Sequence, residues 1–456
     1  MTDEDRYQYG SEIPEEFYHC INIEDAVYSL TPENLDRLAN ILKDEPESYH
    51  DYVYRCIASA AHCYIFKYKL YGELWLALGW EQKYVSNDNF DIYIAVITEN
   101  TKLLNSSIVD TVESALMYER PLMNDFFLLI YKNQVKEIQE TVNDHPDIID
   151  VLYDFQGENI NSVDFCALIG NYLIFEYLVS KGGEITDSTV EHAVRGGNIN
   201  IINYLVRNGY VLNDYVHIAI EFHHTRIAEL LIRNYPSQEM ISLCLKAAIR
   251  GYNTLGLYLL KLFGLYFDMS NFSNQLVLYY AAEYGNLVLT RYIIEKNGFY
   301  INKIDRTGYS ALHYAVKSEN LELIKYLISK GADLNLRTGL GEIVEHNFQP
   351  WQKEEEVYEI KFTNRLPFVT HYNFNPYSRS QDKKFYEENG MTPLILAVRE
   401  CFQCVSDYLL EVGADPNIRD NKGNNYYDYL DMQKKIEEEL NDLFCEESND
   451  YSASGE

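Results

Sequence analysis

No stretch of this chain approaches the ~18 uninterrupted apolar residues of a membrane span. Its opening run, Met1-Thr-Asp3-Glu4-Asp5-Arg6, is acidic and lacks the basic and apolar regions of a secretory signal. Cytoplasmic or nuclear residence without membrane insertion is therefore expected. Basic residues are scarce: 38 Lys and Arg face 70 Asp and Glu, a formal net charge of -32. That field repels phosphate, which argues against nucleic acid and anionic lipid as partners and permits a basic protein. The eight cysteines, at 20, 56, 63, 166, 244, 401, 404 and 445, follow no disulfide framework and read as reduced thiols. A glycine-rich phosphate loop, paired catalytic carboxylates and a nucleophile elbow are all missing. Thr338-Gly339-Leu340-Gly341 comes nearest to a dinucleotide fingerprint, but without its third glycine it reads as a turn. No enzyme, cofactor or metal site is expected.

What is present is a large apolar fraction, 47% of 456 residues, enough for one long array or two or three domains. Acidic charge gathers at the ends, with 13 acids against 3 bases in residues 1–50, and 8 acids with no base in 437–456. Its plainest use is solubility. The 41 tyrosines suit an AT-rich coding sequence and need not mark a functional surface.

Two stretches repeat one phrase. Gly308-Tyr-Ser-Ala-Leu-His313-Tyr-Ala315 leads to Tyr326-Leu327 and Gly331-Ala-Asp333; Gly390-Met-Thr392-Pro393-Leu394-Ile-Leu-Ala397 leads to Tyr408-Leu409 and Gly413-Ala-Asp415. Taking the small residue Ala315 as an anchor, related copies anchor on Cys166, Ala193, Ala219, Ala247, Ala281 and Ala397. The middle steps are too short for a full hairpin loop between helix pairs. The last, from 315 to 397, holds an insertion of ~49 residues beyond a ~33-residue period. Thr392 before Pro393 suits a helix N-cap, and Gly182, Gly209, Gly331 and Gly413 suit the left-handed residue past a helix end.

These residues resemble the ankyrin repeat, a helix–turn–helix–loop unit. The short copies Asn161 to Leu178 and Val190 to Leu205 are similar to the expanded ankyrin family of trichomonad protists, which carries an associated domain of unknown function. The resemblance implies an all-α ankyrin-repeat solenoid of stacked helix pairs that binds a protein partner, and a structural role for His313. The expected layout is an N-terminal all-helical domain over 1–120 and a repeat stack over 121–445. Within the stack, repeats are degenerate or short over 121–265 and more regular over 266–336 and 389–420. An insertion at 337–388 and a cap at 420–445, with a second helix from Gln433, complete it; an acidic disordered tail fills 446–456.

Glu356 to Thr363 alternates polar and apolar residues and can pair with Leu366 to Tyr372 as a β-hairpin in the insertion. Candidate partner-binding residues are Arg306, Tyr309, Tyr314 and Lys317 on the concave side, and Trp351, Tyr358, Phe362, Phe368 and Tyr372 in the insertion. Cys401-Phe-Gln-Cys404 has metal or redox spacing but lacks further ligands, and His223-His224 reads as an exposed, uncommitted pair. A second functional reading has the N-terminal helices recruit machinery such as a ubiquitin ligase while the repeats select a client.

Overall fold

A computed structural model describes residues 13, 15–80, 124–155, 158–234, 241–262, 273–297, 301–305, 308–339 and 390–435. They are overwhelmingly helical and fall into two compact units that part between residues 269 and 270. The hairpin expected for 356–372, the expected domain boundary at 120 and the acidic tail lie outside the described residues.

In the first unit, helix pairs stack in register. The first helices are α5 (Asp125–Tyr131), α7 (Ser162–Leu168), α9 (Asp187–Gly196), α11 (Val216–Glu221) and α13 (Ile241–Arg250). Each packs beside the next. Their partners are α6 (Val135–Asp144), α8 (Tyr172–Ser180), α10 (Ile199–Arg207), α12 (Thr225–Asn234) and α14 (Thr254–Leu262). The anchors Cys166, Ala193 and Ala219 are at most 1% exposed, so a larger side chain there would wedge the helices apart. Phe127 stacks on Phe165 at 4.3 Å between the first two first helices, both fully buried. Truncating either to alanine would cost about 3–5 kcal/mol.

The turn between the two helices repeats a fixed geometry. Four residues past each anchor the backbone is left-handed: Gly170, Gly197, Gly285, and also His223, Glu319 and Cys401, which lack glycine's freedom. One copy corrects the sequence reading. Its left-handed residue is Tyr252 and its turn hydrogen bond runs from Asn253 N to Ala248 O, so the anchor is Ala248, not Ala247. Gly251, four residues past Ala247, needs glycine for a close approach instead, since a Cβ there would meet Glu221 O at 2.7 Å.

The residue after the left-handed position does two jobs. Asn171, Asn253 and Asn320 each cap their own second helix through the side-chain oxygen. The amide group of Asn198, Asn253 and Asn320 donates to a turn carbonyl of the preceding repeat, at Gly170, Ile220 and Gly285. His224 takes the place of asparagine, with Nε2 at 2.8 Å from Arg195 O. This ladder locks repeat to repeat with bonds of about 1 kcal/mol each.

Of the four N-terminal helices, α1 (Glu15–Tyr28), α2 (Leu35–Lys43), α3 (Glu47–Cys63) and α4 (Tyr68–Leu78), α1 and α3 pack on these turns within the same unit. Tyr28 donates to Gly251 O, Ser59 to Arg250 O and Tyr64 to Phe222 O. Glu24 is 2% exposed and accepts from Tyr52, from the Thr254 hydroxyl and from the Thr254 N–H at the start of α14. The contacts span up to 230 residues of sequence.

The second unit holds α15 (Ser273–Glu283) and α16 (Leu287–Asn297), α17 (Ala311–Lys317) and α18 (Leu321–Ser329), then α19 (Pro393–Arg399) and α20 (Gln403–Glu411). The Thr392 side chain caps α19 ahead of Pro393 as expected, and the four post-helix glycines have positive φ. A final helix covers 426–435, so Gln433 sits inside it and opens no second helix. Asn425 accepts from the N–H groups of Tyr427 and Asp428 and starts that helix earlier than the acidic pattern suggested.

Between α18 and α19 the chain leaves and re-enters at one point. In an ordinary finger, Asp305 N donates to Tyr309 O and Gly308 N to Asp305 O; Asp420, Gly423 and Asn424 repeat the pattern. Thr338 N donates to Met391 O and Gly390 N to Thr338 O in the same way. The insertion thus replaces a two-residue finger tip and leaves the finger's base intact.

Two outcomes follow. Replacing Leu340–Asn389 by a single Asn should leave helical circular dichroism of the repeats and the unfolding midpoint nearly unchanged; collapse of the melt would show that the insertion is part of the core. Burial raises the Glu24 carboxyl to about 8 against hydrogen bonds from Thr254 and Tyr52 that lower it. Its stabilising protonated state is complete below the ordinary value of 4.5 and is lost as pH rises towards 8. Urea titrations from pH 5 to 8.5 should show Glu24→Gln losing less stability than the native chain; parallel pH profiles would refute this.

Candidate partner-binding surface

The side chains at Tyr309, Tyr314 and Lys317 meet because the finger turn and the helix after it are tied by one carboxylate. Asp305 Oδ1 accepts from the Tyr309 N–H at 2.9 Å and Oδ2 accepts from the Tyr314 hydroxyl at 2.6 Å. The rings of Tyr309 and Tyr314 lie 5.4 Å apart, and Tyr279 from α15 lies 5.5 Å from Tyr314. Lys317, one turn beyond Tyr314, places its ammonium 4.5 Å from the Tyr309 ring centre and 5.9 Å from that of Tyr314. Both distances suit cation–π attraction. Partial burial lowers the Lys317 pKa, with Glu283, Glu400 and Asp305 pulling it back up.

The same construction returns after α20. Asp420 closes the finger turn and its Oδ2 accepts from the Tyr429 hydroxyl at 2.6 Å. Between the two lies Arg399, paired with Glu400 at 2.5 Å and donating to Met391 Sδ. Asp305, Asp420, Arg399 and Tyr429 were missed in the sequence. The available signal was Asp-x-x-Gly with Tyr six residues after the glycine, present in both places. Arg306, Trp351, Tyr358, Phe362, Phe368 and Tyr372 lie outside the described residues.

His313 is fully buried and braces two fingers. Its Nδ1 accepts from Ser310 N–H and its Nε2 lies 3.2 Å from Met391 O. A carbonyl only accepts, so Nε2 carries the hydrogen, and burial lowers the ring to about 4. His223 and His224 are not the uncommitted pair expected. His223 stacks under Tyr28 at 3.5 Å and reaches Gly251 O at 2.7 Å, and burial takes its pKa to about 3. Sequence could not show this, because the covering helix lies almost 200 residues upstream. Cys401 and Cys404 are both exposed, and the Gln433 side-chain amide donates to Cys401 Sγ.

Ser188, His192 and Glu158 line up like a catalytic triad. Ser188 Oγ is 3.1 Å from His192 Nδ1, and His192 Nε2 is 3.4 Å from Glu158. The tautomer is wrong for it. Nδ1 lies 2.7 Å from the Ser188 carbonyl, so it bears hydrogen and has no lone pair for a serine proton. The His192 ring beside it, with Arg195 3.7 Å away, instead holds the Glu158 carboxyl below its ordinary value against burial. Glu158 belongs to a short hairpin, β1 (Tyr153–Phe155) with β2 (Glu158–Ile160), which the cluster clips to α9.

Among the described residues, no helix is long and apolar enough to cross a membrane. Comparison with known proteins bears on the repeats. A family model described as ankyrin repeats, in three copies, matches residues 244–338, and one described as ankyrin repeat matches 389–421. No curated protein matches the chain. Among solved structures, the chain is similar to the ankyrin repeat domain of Bcl-3, whose crystal structure is described as that of a unique member of the IkappaB protein family. That likeness is at 14% identity over 59% of this chain and 93% of that one, with a TM-score of 0.28, too loose to carry weight beside the family models. The described helix pairs and these matches agree: the chain carries ankyrin repeats, a protein–protein interaction module.

Proposed function

We propose that this protein is a non-enzymatic scaffold that holds a protein partner on the concave surface of its second unit and on the insertion at 337–388. The observation that carries this reading is the Tyr309–Tyr314–Lys317 cluster. Asp305 fixes the Tyr314 phenol and the Tyr309 backbone before any partner arrives, and the Tyr309 ring rests against Tyr314 and Lys317, so little side-chain entropy remains to be lost on binding. Tyrosine and arginine are also the side chains that most often dominate interface energy, and Arg399 and Tyr429 extend the cluster by one repeat. The insertion springs from a finger tip, beside this surface in the repeat plan. Net charge favours a basic partner, and residence is cytoplasmic or nuclear. The short repeats over 161–205 support membership of the trichomonad-type group.

The adaptor reading, with residues 1–120 recruiting a ubiquitin ligase, ranks second. Tyr28, Tyr52, Ser59 and Tyr64 are committed to the repeats, which leaves less of α1 and α3 to offer outward.

Proximity labelling in the native cell should compare the full chain, a chain lacking 340–388, and Tyr309→Ala with Lys317→Ala. One partner set should fall by about tenfold in both altered chains, the effect of losing a single hot spot. Tyr314 is left in place because its hydroxyl holds Asp305. Identical labelling in all three would refute the site.

A further inference from the structure

Arginine in this acidic chain ordinarily finds a carboxylate. Among the described residues of the first unit, four arginines close helices: Arg195 on α9, Arg207 on α10, Arg233 on α12 and Arg250 on α13. A cation at that place suits the helix dipole. Three of the four are also paired, Arg195 with Glu191, Arg233 with Glu229 and Arg250 with Glu221. Arg195 and Arg233 take an acid four residues earlier, as Arg55 on α3 does with Asp51. Before Arg207 that place is held by Asn203, and no described residue pairs with the Arg207 guanidinium.

The guanidinium lines a groove instead. Tyr172 of α8, with Asn200, Asn203, Tyr204, Arg207 and Asn208 of α10 and its end, surrounds about 140 Å³ between adjacent repeats. Its walls are set in advance. The Tyr172 hydroxyl donates to Glu176 at 2.8 Å, and the Tyr204 ring stands edge-on to the fully buried Phe175 at 5.6 Å. The Asn208 amide donates to the Tyr204 carbonyl. The side-chain amides of Asn200 and Asn203 hydrogen-bond to no described residue, so neutral donors stand beside the cation. A guanidinium fork among neutral amides suits a single planar anion.

Size and charge narrow the ligand. Small-molecule and cofactor sites run to roughly 300–1,000 Å³, so this groove has room for one side chain and not for a cofactor. A net charge of -32 repels phosphates and acidic runs, which leaves an isolated carboxylate. The helix starts that carry Tyr172 and Asn200 also expose Leu173, at 69%, and Ile199, at 40%. These two give a protein segment apolar area to cover, which a free ion cannot use.

We propose that the groove between α8 and α10 is a further partner-binding site, which takes one Asp or Glu side chain, flanked by apolar residues, from a protein segment. Arg207 grips the carboxylate, and Asn200 and Asn203 donate to its remaining lone pairs. The site lies on second helices of the first unit and does not require the Tyr309–Tyr314–Lys317 surface.

The test selects short random peptides displayed on phage against the full chain. Enriched peptides are synthesised and their affinities measured on the native chain, Arg207→Gln, Arg207→Lys and Tyr309→Ala. Arg207 has no partner to lose, so helical circular dichroism should be the same for Arg207→Gln and the native chain. One class of peptides should bind Arg207→Gln at least about tenfold more weakly than the native chain, the factor for one charge-assisted hydrogen bond. The same class should bind Tyr309→Ala as it binds the native chain. Its members should carry an Asp or Glu with an apolar neighbour, and changing that acid to Asn or Gln should give a similar loss. Arg207→Lys, which keeps the charge without the fork, should fall between native and Arg207→Gln. The proposal is overturned if no peptide separates native from Arg207→Gln, or if the separating class lacks an acid. Displacement of these peptides by millimolar inorganic phosphate would mark an unselective anion patch and overturn it as well. So would an equal loss on Tyr309→Ala, which would put the peptides on the first surface.

Discussion

Everything in this molecule hangs on the turn between the two helices of a repeat. The chain must reverse within a few residues, which demands one left-handed residue, and that reversal exposes carbonyls at the end of the first helix. Those carbonyls need donors. The following asparagine supplies one to the preceding repeat while capping its own second helix, so a local backbone need becomes the bond between neighbours. Because each asparagine serves two repeats, the stack is cooperative rather than a string of independent hairpins.

The same carbonyls explain the N-terminal helices. Tyr28, Ser59 and Tyr64 satisfy acceptors that the asparagine ladder leaves open at Gly251, Arg250 and Phe222. Glu24 adds what a side-chain cap would add, at the start of α14, and accepts burial of a carboxyl to do so. The helices before residue 80 thus complete the edge of the first unit and share its core. The tyrosine content, which reads as codon bias in composition, has a use here: a phenol is long enough to cross the interface and ends in the donor that a carbonyl requires.

Much of this was legible and some was not. The anchor spacing, the Thr392 cap, the post-helix glycines and the insertion between 338 and 390 follow from residue types whose preferences are local. The anchor at Ala248 was misread by one because Ala247 and Gly251 satisfy the same pattern, and only the hydrogen bond from Asn253 separates them. Of the candidate surface, Tyr309, Tyr314 and Lys317 were found from their place in the repeat. Asp305, which organises them, looked like an ordinary turn residue, since a turn-closing aspartate and one that also accepts from a tyrosine nine residues on share the same letters.

The sequence by itself determined the repeat: small anchors, helix caps and glycines act over a few residues, where the chain's own chemistry decides. Only the tertiary structure decided which acceptors are filled and by what. That His223 is covered by Tyr28 while Cys401, at the same left-handed step, meets Gln433 depends on which helix packing brings to each turn, the first from almost 200 residues away. Contacts at that range are set by packing many faces at once, and no local pattern encodes them.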